Sequence, residues 1–194
     1  MKHLMLDLET MGTKADAPIV SAGLCWFDLE PGGGSVGAST LFRMSLETAM
    51  GTGRKLDGST VEWWLQQSEP ARMALLTGGE ECLSVHQFCM CIKEWCTFPG
   101  DSDKGVDLGR VGLWSKGPTF DVLLLKGLFE EVSVEWPFKF WNEFDVRTAL
   151  LAGRDFRMPG LARLGTPDVA HDAQKDAEHQ AAQVVEVWKG LRTR

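Results

Sequence analysis

Lys2 to Glu9 reads as a β-strand with two unlike faces. Leu4, Leu6 and Leu8 point one way; Met5, Asp7 and Glu9 point the other. A strand that packs leucine against a core lies inside a sheet, so its opposite face is also close to the interior. Asp7 and Glu9, two residues apart, sit ~6.6 Å apart along that face. Charge in such a place is costly unless it is paired or bound to a cation. The plain alternative is a solvated face or a strand end, since Asp-x-Glu is a common tripeptide.

The rest of the chain supplies partners for this strand. Ile19 to Phe27 and Ser39 to Met44 read as two further strands, joined through the turn Pro31-Gly32-Gly33-Gly34, as in an antiparallel meander. Ser59-Thr60-Val61-Glu62 has the form of a capping box and predicts a short helix through Trp63, Trp64 and Leu65. Ser68-Glu69-Pro70 starts another helix. Glu80 to Trp95 carries apolar residues at helical spacing. Pro99 to Gly109 is polar and glycine-rich, too short to separate domains. Arg110 to Trp114 reads as a strand, and Thr119 as the cap of a helix over Phe120 to Glu131. Pro137 to Trp141 is read as the last strand, followed by a helix near Asp145 to Ala152 and a loop from Gly153 to Pro167. The final helix, Asp172 to Leu191, is the clearest, with Ala173, Ala177, Ala181, Val184, Trp188 and Leu191 on one stripe. Strands first, then helices mixed with strands, predict an α/β or α+β chain with a mixed sheet and one core. No internal repeat is visible.

The 194 residues predict a single domain over 1–194. No run of 18 apolar residues exists, so no membrane-spanning helix is expected. The first residues lack the apolar core of a signal peptide, and the expected compartment is cytoplasmic. The net charge of −7 excludes a protein that grips nucleic acid by bulk electrostatics. It leaves room for acids that hold cations. Five cysteines, an odd number, argue against a disulfide framework. Cys82, Cys89 and Cys96 fall on one helical stripe and read as reduced core residues rather than zinc ligands.

Two more acidic positions stand out. Asp121 opens an apolar helix, where the macrodipole favours an acid and helix capping explains it equally well. Asp176 lies among the small residues of the final helix, and His171 just precedes that helix. The alternative for this pair is that Asp172 caps the helix and His171 lies on the surface. Taken together, four carboxylates and one histidine from three distant segments form the type of oxygen-rich set that hard divalent cations need.

Asp7-Leu8-Glu9-Thr10, Phe120-Asp121 and His171-x-Ala173-x-x-Asp176-Ala177 resemble the three motifs of the DEDDh branch of the DnaQ-like 3′–5′ exonucleases. The resemblance runs from residue 4 to about 188. The segments Thr60-Val61-Glu62-Trp63-Trp64, Trp114 to Asp121 and Asp145-Val146-Arg147-Thr148 resemble a sub-branch that holds T-even phage exonuclease A and the mycobacterial 3′–5′ exoribonuclease. Lys175 departs from that sub-branch, which often has an acid there.

The resemblance implies a ribonuclease H-like mixed β-sheet flanked by α-helices. It implies that Asp7, Glu9, Asp121 and Asp176 hold two Mg²⁺ or Mn²⁺ ions, with Asp7 bridging. Glu9 and Asp176 would complete the site for the attacking water, Asp121 would serve the ion at the leaving 3′ oxygen, and His171 would be general base. The product would be a nucleoside 5′-monophosphate. Thr10 and Met11 are expected beside the terminal nucleotide. Trp114 or Phe120 would stack on a base, with core packing as the alternative for each, and Arg147 would meet a phosphate. The implied partner is single-stranded or 3′-end nucleic acid, without a membrane, and the implied state is a monomer or a homodimer. Trp63, Trp64, Trp136 and Trp141 are candidates for an apolar interface. The phage likeness adds a phage or prophage origin as an expectation. The competing readings are a non-catalytic binding or interaction module on the same fold, and a structural domain whose acids are caps and surface charge.

Overall fold

The computed structural model describes residues 2–31, 34–76, 83–99, 104–158, 160–161, 164–165 and 171–193. Cys82, Gly32, Gly33, the predicted helix start at Glu80, and parts of the predicted loops at 99–109 and 153–167 lie outside these.

The chain is α/β, built on a five-stranded mixed sheet in the order β3-β2-β1-β4-β5. Strands β1 (His3–Thr10), β2 (Ile19–Phe27) and β3 (Val36–Arg43) form the antiparallel meander. Strands β4 (Gly112–Ser115) and β5 (Glu143–Asp145) extend the other edge of β1 in parallel. The predicted faces of β1 are realised. Leu4, Leu6 and Leu8 join one core with α4 (Val85–Thr97) and α5 (Asp121–Glu131); Met5 joins a second core with α6 (Val146–Asp155) and α7 (Ala173–Arg192). The short helices α1 (Leu46–Met50), α2 (Gly58–Leu65) and α3 (Glu69–Leu76) lie between β3 and α4 in sequence. A small third cluster joins Met11, Val20, Trp64 and Ala71.

Local chemistry shifts several predicted boundaries. Asp57, not Ser59, caps α2: its carboxylate accepts from the Ser59 backbone N–H, so the helix begins one residue before the predicted cap. The capping box belongs instead to Ser84 and Gln87 at the start of α4. Thr119 does not cap α5; Phe120 occupies the cap position with no side-chain hydrogen bond. The last strand is Glu143–Asp145, not Pro137 to Trp141, because Phe140–Asn142 closes into a 3₁₀ turn that leaves Phe140 and Trp141 exposed. Cys89 and Cys96 are buried, and Cys25, Cys89, Cys91 and Cys96 are free thiols. Burial pushes the Cys25 and Cys89 thiols up to about 12, which suits packing and not reactivity.

The final helix owes its close approach to small side chains. Ala173, Ala177 and Ala181 are buried on one stripe. Gly23, the ladder partner of Asp7, faces this helix, and a Cβ there would fall 1.9 Å from the Ala173 carbonyl oxygen. The helix start thus rests on β2 beside the acidic face of β1. Among the described residues, no helix is long and apolar enough to cross a membrane.

Candidate active site

Asp7 and Glu9 leave the C-terminal half of β1 on the face covered by α7. Asp121 opens α5, directly after the loop that leaves β4. In that loop Gly117 has φ +144°, a conformation that favours glycine, and its carbonyl accepts from the Phe120 and Asp121 backbone N–H groups. Asp176 lies in the first turn of α7, whose start Asp172 caps by accepting from Gln174 and Lys175. The capping alternative for Asp172 therefore holds alongside a site for its neighbours.

His171 sits just outside that cap with φ +64°, unusual for a residue with a side chain. Its backbone N–H donates to Asp176 Oδ2 at 2.9 Å, and its ring meets Trp63 edge-on with centroids 4.7 Å apart. The local strain is held by contacts on both sides. One ligand atom each of Glu9, His171 and Asp176 lies within 4.8 Å of the others.

Asp7 and Asp121 adjoin this trio. Each carboxyl of the set is raised above its usual range, first by burial. Asp7 is raised well above, with the charges of Asp121 and Asp176 adding to it. Glu9 is pushed up to about 9, with Asp7, Asp176, Asp172 and Asp121 adding. Burial raises Asp121 to about 6 against the pull of Ser115 and Arg147, and Asp176 is raised as well. The donors are carboxylate oxygens and one imidazole, crowded and short of positive charge. That chemistry fits hard divalent cations such as Mg²⁺ or Mn²⁺.

Other side chains bear on the site, and of these Ser115 and Gln180 were not singled out in the sequence. Ser115, fully buried at the end of β4, donates to Asp121 Oδ2 at 2.7 Å. Gln180 donates through Nε2 to Asp7 Oδ1 at 2.7 Å. Lys116 is exposed, and its charge favours ionisation of Asp7 and Asp176. His179 lies near enough to Asp176 to feel its charge, while burial lowers its pKa. The available signals were position: Ser115 ends an apolar strand, and Gln180 is a polar residue one turn after Asp176 on the buried stripe.

The predicted substrate residues divide. Thr10 and Phe120 line a cavity of about 410 Å³ beside Glu9, together with Gly12, Thr13, Ser59, Thr60, Trp63 and Trp64. Arg147 is exposed, and its guanidinium lies over Gly117, near enough to favour the Asp121 carboxylate. Trp114 takes the core-packing alternative: it is 3% exposed, donates through Nε1 to His3 Nδ1 at 3.0 Å and packs on Phe144 and Trp188. Met11 is likewise buried, and its backbone N–H and carbonyl are taken by Pro18 and Asp57.

A sheet of order 3-2-1-4-5 with acids late in β1 and at the starts of α5 and α7 is consistent with a DEDDh-type 3′–5′ exonuclease, and comparison with known proteins places the chain in that class. The chain belongs to the family of the 3′–5′ exoribonuclease Rv2179c-like domain, whose model matches residues 2–188. It is 27% identical over 200 residues to the exodeoxyribonuclease of Enterobacteria phage T4, covering 91% of this chain and 84% of that protein. The fold is similar to that of cell-death related nuclease 4 (TM-score 0.61, 12% identity, 95% of this chain), of whose chain it spans only 62%. It is also similar to a full-length 3′-exonuclease (TM-score 0.56, 10% identity), covering 99% of this chain and 82% of that one.

Proposed function

We propose that this chain is a single exonuclease domain that removes nucleoside 5′-monophosphates from the 3′ end of DNA or RNA, with two Mg²⁺ or Mn²⁺ ions held by Asp7, Glu9, Asp121 and Asp176. The observation that carries the reading is the convergence of Glu9, His171 and Asp176 within 4.8 Å, flanked by two further carboxylates whose charges reach the same point. The ions, when bound, would supply Lewis-acid stabilisation of charge on the phosphoryl oxygens.

His171, whose ring nitrogen lies within 4.8 Å of carboxylate oxygens of Glu9 and Asp176, takes the proton of the attacking water as general base. The water oxygen bonds to phosphorus, the P–O3′ bond breaks, and the shortened strand keeps a 3′ hydroxyl that gains its proton from solvent. Asp176 orients the base segment through the His171 backbone N–H. Phe120, Trp63 and Thr10 bound the cavity for the terminal nucleotide. Arg147 is placed to meet a phosphate near Asp121. The hydroxyls of Thr13, Ser59 and Thr60 offer partners to a 2′-OH. The family description speaks for RNA and the phage relative for DNA. That relative also supports a phage or prophage origin.

The test is a gel assay with 5′-labelled single-stranded DNA and RNA, with and without a complementary strand, in Mg²⁺ or Mn²⁺, beside Asp176→Ala. A ladder shortening from the 3′ end in the wild type alone is expected, and the faster substrate assigns DNA or RNA. A folded, metal-loaded protein that degrades no substrate would overturn the reading in favour of a binding module.

A further inference from the structure

The buried stripe of α7 is made of alanines and valines, with one exception. Gln180 follows Ala173 and Ala177 at helical spacing and is 4% exposed. A long amide among methyl groups is costly unless both ends are satisfied. One end is: Nε2 donates to Asp7 Oδ1 at 2.7 Å. The other is not: Oε1 is buried and has no partner. With Asp7 ionised, as a bound cation requires, reversing the amide would set two acceptors against each other. An apolar residue of the same volume would pack on this stripe without these costs. The glutamine serves no evident packing need.

We infer that Gln180 is a positioning residue for the Asp7 carboxylate: its Nε2–H fixes Asp7 Oδ1, and its free Oε1 offers an acceptor to a water held by a cation at Asp7. This rests on the reading of Asp7 as a metal ligand. Mg²⁺ and Mn²⁺ retain water ligands, and those waters need acceptors. Partners of this kind, one bond removed from the ligand, set ligand orientation and affinity. The placement is economical, because the same helix carries Asp176 one turn earlier. Docking α7 brings one ligand and the group that orients another.

The experiment measures Mn²⁺ binding to the full chain by electron paramagnetic resonance and calorimetry, with metal-free melting as a second readout. The proteins are wild type, Gln180→Met, Gln180→Leu and Asp7→Asn. Gln180→Met keeps the volume and loses both hydrogen-bonding ends. The expected result is Mn²⁺ affinity about 10–100-fold weaker in both Gln180 variants, with metal-free melting equal to or above that of the wild type. Wild-type affinity in Gln180→Met and Gln180→Leu, with affinity lost in Asp7→Asn, overturns the role of Gln180 alone. A fall in metal-free melting that accounts for the weaker binding also overturns it, since the residue would then serve packing only. Wild-type affinity in Asp7→Asn overturns the metal reading itself, and the inference with it.

Discussion

Gly23 and Ala173 stand so close that a Cβ on the first would lie 1.9 Å from the carbonyl oxygen of the second. This contact seats the start of α7 on β2, and Asp7 is the ladder partner of Gly23. Gly23→Ala is therefore expected to cost at least about 1–3 kcal/mol, as overpacking does, and to lower Tm by about 2–4 °C per kcal/mol. Mn²⁺ affinity should fall with it, because His171 and Asp176 move with the helix. Melting curves with and without Mn²⁺ check both. An unchanged Tm would mean that the helix does not rest there.

Glu9 gives the metal-free protein a pH dependence of known sign. Its folded pKa of about 9 lies above the ordinary 4.5. Between these values the folded chain holds a proton that the unfolded chain has lost. Metal-free stability should thus fall as pH rises through this window. Glu9→Gln should flatten that slope in urea titrations. Mn²⁺ must displace the proton, so its affinity should rise with pH, and calorimetry in buffers of different ionisation enthalpy should register proton release.

His3 acts at the other end of the strand with the opposite sign. Burial, helped by the N-terminal charge and opposed by Asp28, lowers its pKa to about 4. The stability tied to its neutral form is fully present above about 6.5 and is lost as pH falls toward 4. The loss should reach about 2–3 kcal/mol by pH 4.5, from 1.36 kcal/mol per unit. Subtracting the urea curve of His3→Gln at each pH isolates it from the carboxylates. A difference independent of pH would exclude this origin.

Phe120 and Trp114 should separate cleanly. Phe120 lines the cavity beside Glu9, and Phe120→Ala should weaken binding of a single-stranded substrate by about 1–3 kcal/mol. Trp114→Phe removes the donor to His3 and should lower Tm with little change in KM. The reverse pattern would restore Trp114 as a base-stacking residue.

Much of the fold was legible because β1 alternates between two unlike faces and α7 buries one stripe. Alternation placed Leu4, Leu6 and Leu8 on one side, and the alanine stripe marked the side of α7 that meets the sheet. Caps were less legible. Asp57, Ser59 and Thr60 are all competent cap residues, and the choice fell to the loop that Asp57 joins through its N–H to the Met11 carbonyl. The last strand was misplaced because Phe138, Phe140 and Trp141 look alike in sequence, yet only Phe138 is buried. In the site, acids could be found by type and spacing. Ser115 and Gln180 could not, because a single polar residue beside apolar ones carries no sign of what it faces. Trp114 stood between base stacking and core packing for the same reason: nothing local tells an aromatic ring in the core from one beside a ligand.

Arg54 is a buried cation that does not touch the acids of the site. It donates to the carbonyl oxygens of Ala17 and Leu124 and pairs with Glu131 at 2.9 Å. Those contacts join the loop leading into α2 to the body of α5. Trp63 on α2 and Phe120 at the head of α5 both line the cavity beside Glu9. The gap between those two rings is thus gauged from behind by the reach of one guanidinium. Two walls of the cavity are tied together by a contact outside it, so a change at Arg54 or Glu131 should reach the opening without touching a lining residue.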